Sequence, residues 1–138
     1  MKQTIGNVIL STVVFCVAGP PFGALAFGVW GVALQPSPEA FLGILWVLPF
    51  GYFVGLIPAA LTGIGVGMVA PRLRNAVAFI LASAMIGFLV AGGWAAWNGT
   101  GPTNWSGIAN FAAMGGFAGL CSGGLVWPML GRSRAVAA

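Results

Sequence analysis

Only six of the 138 residues carry a formal charge, and Lys2, Glu39, Arg72, Arg74, Arg132 and Arg134 cut the chain into four long uncharged stretches. The stretches run over residues 8–34, 41–70, 76–97 and 108–130. A helix needs about 20 mainly apolar residues to cross a hydrocarbon core about 30 Å thick, so each stretch is long enough to span a bilayer. The joints are short and rich in polar and turn-forming residues: Gln35 to Glu39, Pro71 to Asn75 and Asn98 to Gly107. Charged residues make up 4% of the chain, against roughly 25% in a soluble domain, and a soluble fold with such a surface would aggregate. The expected fold is an all-α integral membrane protein. It forms a single domain over residues 1–138 with four transmembrane helices, the first and second kinked or broken at proline.

Lys and Arg in short loops are retained on the cytoplasmic side. With Lys2 inside, the crossings return Arg72, Arg74, Arg132 and Arg134 to that same side, so all five cations serve as topology anchors. Both termini and the 71–75 loop are then cytoplasmic, and the 35–40 and 98–107 loops lie opposite. The expected setting is a bacterial inner membrane. The net charge of +4 does not point to nucleic acid, because the cations are split among three segments with no run that could track a phosphate backbone. They suit orientation and contact with anionic headgroups.

Lys2, the apolar run after it and Ala24-Leu25-Ala26 share the outline of a signal peptide, but the stretch is read as the first span. Cys16 and Cys121 are isolated and lie in different spans, where a thiol behaves as a small apolar side chain.

The missing side chains exclude most membrane chemistry. There is no histidine, which removes the usual haem and metal ligand, and the single carboxylate, Glu39, sits in a loop. No acid remains inside a span for proton relay or cation coupling. A serine nucleophile would have no base to activate it. No enzyme activity, catalytic residue, metal site or cofactor is expected, although grooves left by glycine give room for bound lipid or pigment.

Glycine carries what remains. Gly51, Gly55, Ala59, Gly63 and Gly67 are four apart in the second span, Gly115, Gly119 and Gly123 in the fourth, and Gly19 and Gly23 in the first. Such small residues let helices approach closely in lipid. Four residues turn a helix by about 400°, so each step drifts about 40° around the axis. A row of five therefore predicts a right-handed crossing or contacts with two neighbours at different depths.

Proline is the second unusual feature, with Pro20 and Pro21 inside the first span and Pro49 and Pro58 inside the second. Each removes a helix hydrogen bond. The second stretch would be about 45 Å long as one helix, and fitting it into a core of about 30 Å needs a tilt of about 48°, outside the usual range. It must kink, break or protrude. Paired Gly/Pro interruptions near the midplane also mark transport sites, which makes Tyr52, Thr62 and Asn110 candidates for polar lining. Thr62, Ser83, Asn110 and Ser122 equally suit interhelical hydrogen bonding. Tryptophans flank the two outer loops, as amphipathic rings do at headgroup depth. Asn98-Gly99-Thr100 and Asn104-Trp105-Ser106 match the glycosylation acceptor pattern.

Two functions are compatible with this inventory. The first is a non-catalytic accessory subunit that docks its glycine-rich helix faces onto other membrane subunits or itself, with membrane lipid as its other partner. The second is a homo-oligomeric channel or carrier for a small solute, lined by the proline-bearing first and second spans.

Overall fold

The structure is a computed structural model. It describes residues 2–34, 37–98 and 105–136, and the side chains of 3–34, 37, 49–98 and 105–130. The expectations placed on loop residues 35–36 and 99–104, and on the side chains of Lys2, Glu39, Arg132 and Arg134, fall outside that description, but Glu39 itself lies in the first turn of the helix that starts at Pro38 and not in a loop.

The described chain is helical throughout, with α1 (Lys2–Leu34), α2 (Pro38–Val69), a 3-10 turn (Ala70–Arg72), α3 (Ala76–Trp97) and α4 (Trp105–Val136). All four helices are long and apolar enough to cross a membrane. Asn75 starts α3 as its N-cap, its side-chain oxygen accepting from the Val77 N–H at 2.9 Å. This satisfies one of the donors that a helix start leaves unpaired.

Neither α1 nor α2 is broken at proline. Each runs as one helix through its two prolines, so of the expected kink or break the break does not occur. A proline removes one N–H from the ladder, and the backbone on both sides keeps its own bonds when a neighbour supplies the missing donor. Tyr52 on α2 does this for α1. Its hydroxyl donates to the Val17 carbonyl at 2.8 Å, and Val17 is the residue whose i+4 partner is Pro21. At about 1.5 Å per residue, α1 and α2 are close to 50 Å long, so they exceed a hydrocarbon core of about 30 Å by tilt or by protruding ends.

The helices pair as two antiparallel hairpins, α1 with α2 and α3 with α4. The hairpins meet mainly through α1 and α4, and α2 touches α3 less and α4 hardly at all. At the end of the bundle carrying the Ala70–Asn75 connection, Phe15, Val66, Ala70, Phe79, Val126 and Leu130 form a buried cluster drawn from all four helices. Trp127 packs against it, its ring 5.4 Å from that of Phe79 and tilted by 43°. Toward the opposite end the hairpins part, and an apolar cleft opens between them.

Candidate functional site

The α1–α2 seam is built by the row of small residues on α2. A Cβ at Gly51 would lie 2.9 Å from the Ala24 Cβ, one at Gly55 3.6 Å from the Pro20 Cα, and one at Gly63 2.6 Å from the Thr12 Cα. Gly67 lies against the Val8 backbone, and Gly19 of α1 would place a Cβ 3.3 Å from Ala59. All five members of the row therefore face one neighbour, not two at different depths. The drift of about 40° per step does not carry them off, because the α1 positions they meet also advance by about four residues. A contact repeat longer than 3.6 residues makes paired helices coil right-handed about each other.

The α3–α4 seam follows the same rule, and half of it was not legible as a glycine row. Gly115, Gly119 and Gly123 of α4 meet a buried row on α3 formed by Phe79, Ser83, Gly87, Ala91 and Ala95, also four apart. Gly115 packs backbone to backbone on Gly87, and Gly119 on Ser83. The signal was present as Ser83-Gly87-Ala91-Ala95, a small-residue row in which only one member is glycine. On α1 the buried row is Asn7, Ser11, Phe15 and Gly19. Gly23 is not part of a seam, since a Cβ there would meet nothing within 4 Å.

The polar side chains mostly serve their own helices. Thr62 and Ser83 are buried and donate to the carbonyls four residues back, Pro58 at 2.7 Å and Phe79 at 2.8 Å, instead of bonding across an interface. Ser and Thr hydroxyls reach that carbonyl readily, which is why the expected interhelical bonds do not form there. Asn110 is exposed on the outside of α4. The buried hydroxyls of Ser11, Thr12 and Ser122 have no hydrogen-bond partner, and Ser122 Oγ would stand 4.0 Å from a Cβ at Gly19. Cys16 and Cys121 are free thiols, both half-buried.

The cleft has a volume of about 230 Å³ and is lined by all four helices. Its floor is made of seam glycines, Gly19, Gly55, Gly87, Gly115 and Gly119, and its walls include Pro20, Pro58, Phe27, Phe50, Phe111 and Met114. Pro20 and Pro58 thus bring the two proline-bearing segments to one place, while Pro21 and Pro49 are not in the lining. Of the three residues proposed as polar lining, the cleft contains Thr62 and neither Tyr52 nor Asn110. Among the described residues Thr62 is the single lining residue with a polar side chain, and its proton is already committed to the Pro58 carbonyl. No lining residue among the described residues is charged. Among the described residues, no group of three or more His, Cys, Asp or Glu lies together where it could hold a metal ion.

Such a surface has no chemistry to offer a polar substrate. An apolar cavity of about 150 Å³ stays dry and accepts a small hydrophobe instead. The sequence matches no protein-family model, no curated protein and no solved structure.

Proposed function

We propose that the protein is a non-catalytic accessory subunit of a larger membrane protein complex in the bacterial inner membrane, with the Arg72–Arg74 connection and both termini on the cytoplasmic side. The observation that carries this reading is the use made of the polar groups. Among the described side chains of α1 to α4 none is charged, Arg72 lying in the 3-10 turn that follows α2, and the hydroxyls of Tyr52, Thr62 and Ser83 are spent on helix backbone. No acid or base stands among the described side chains of the helices to activate a nucleophile or relay a proton, and the hydroxyls left without a partner, on Ser11, Thr12 and Ser122, cannot do either alone. The glycine rows are occupied by the chain's own seams, so docking falls to the outer faces. There Phe53, Leu81, Met85 and Leu89 are among the exposed large side chains.

A second reading, a small-solute channel or carrier, draws on one feature: Pro20 and Pro58 both line the cleft between the hairpins. It requires the purified chain alone to be active. Reconstituted into liposomes without other polypeptides, the protein is expected to leave glycerol and urea permeability at the level of empty vesicles. A saturable flux lost on Gly55→Leu would put the carrier reading first.

A further inference from the structure

We infer that the cleft between the hairpins is a binding site for one hydrocarbon chain of a membrane phospholipid, taken from the leaflet remote from Arg72 and Arg74. It would hold that chain whether or not a second polypeptide accompanies the protein.

Shape, depth and chemistry each narrow the occupant. The cleft extends along α1 from Phe15 to Phe27, about 18 Å at 1.5 Å per residue. Spread over that length, 230 Å³ leaves a section far below that of a helix with its side chains, whose diameter is about 10 Å. A partner's transmembrane helix does not fit, and a single flexible chain does. Phe27, Phe50 and Val54 line the cleft and are 52%, 65% and 50% exposed, which places the mouth beside the outer halves of α1 and α2, between the two hairpins. Phe27 lies seven residues before Leu34 at the end of α1, about 10 Å along the axis. A chain hanging from a headgroup at the level of that helix end reaches the mouth directly. Inside, it meets aromatic edges, Met114 and glycine backbone, with the one hydroxyl already engaged. Water would find no donor and almost no acceptor there.

The attraction comes from filling a shaped void, because the surrounding lipid is as apolar as the cleft. Binding is therefore set by close contact along the slot. Gly23 gives the cleanest test. It lines the cleft and a Cβ there meets nothing within 4 Å, so Gly23→Leu adds bulk at the cleft wall with no seam atom against its Cβ. Val54→Phe at the half-exposed mouth is a second, independent block. Gly6 has equally open surroundings and does not line the cleft, so Gly6→Leu is the control.

The delipidated, detergent-solubilised protein would be titrated with dioleoyl-phosphatidylglycerol and read by native mass spectrometry, with helix content checked by circular dichroism. We expect one lipid retained per wild-type chain. Losing the close contacts of two methylene groups corresponds to affinity weaker by about tenfold in Gly23→Leu and Val54→Phe, and Gly6→Leu should match wild type. Equal retention by all four folded proteins would overturn the assignment. So would a polypeptide, in place of lipid, that leaves the complex on Gly23→Leu.

Discussion

Replacing Tyr52 with Phe isolates how a proline is tolerated in the middle of a membrane helix. Pro21 cannot donate to the Val17 carbonyl, and the Tyr52 hydroxyl does so from the neighbouring helix at 2.8 Å. Hydrocarbon offers that carbonyl no substitute donor, so the bond should sit at the upper end of the range for cross-helix bonds in membranes, about 1 to 1.7 kcal/mol. The informative comparison is a double-mutant cycle with Pro21→Ala. Alanine restores the backbone N–H, so Val17 gains an ordinary i+4 donor and Tyr52 becomes redundant. In that background the cost of Tyr52→Phe should fall below about 0.5 kcal/mol, a coupling near 1 kcal/mol. Reversible unfolding of the four proteins in mixed micelles, followed by tryptophan fluorescence, measures both legs. The same cost with and without Pro21 would refute the reasoning, because the hydroxyl would then be acting on something other than the orphaned carbonyl.

The seams give a paired prediction. Gly119→Ala pushes a methyl into the Ser83 backbone and should destabilise by about 1–3 kcal/mol. Gly93→Ala, where a Cβ meets nothing within 4 Å, should be neutral or stabilising by up to about 1 kcal/mol in the same assay. Asn75→Ala removes the cap of α3 and should cost about 1 kcal/mol, with Asn75→Asp retaining most of it. For orientation, a cysteine at the exposed Arg74 of a protein lacking Cys16 and Cys121 should react with a membrane-impermeant maleimide only from the cytoplasmic side. Labelling from the opposite side would reverse the proposed topology.

Much of the fold was legible because lipid imposes a simple rule on length. The uncharged stretches 76–97 and 108–130 fall within α3 and α4, and the joint at Pro71 to Asn75 coincides with the turn between hairpins. Hydropathy alone did not say which face of each helix turns inward, since these helices are apolar on every side. The inward face is marked by residue size, which is why Gly51 to Gly67 and Gly115 to Gly123 pointed to seams. Two readings of size went astray for definite reasons. Gly23 continued the spacing from Gly19 but stands where the hairpins separate, and the α3 row was overlooked because serine and alanine stand at three of its positions. The prolines signalled helix breaks because the chain itself cannot show that Tyr52, 31 positions after Pro21, returns to supply the missing donor. The cleft was not legible at all. It depends on how the two hairpins diverge, a property of the whole assembly of four helices.

The proposal of an accessory role is tested most directly by extracting the tagged protein gently from its native membrane and weighing the intact assemblies by native mass spectrometry. The account predicts stoichiometric recovery with one or more different membrane polypeptides. A clean monomer or homo-oligomer carrying only lipid would contradict it.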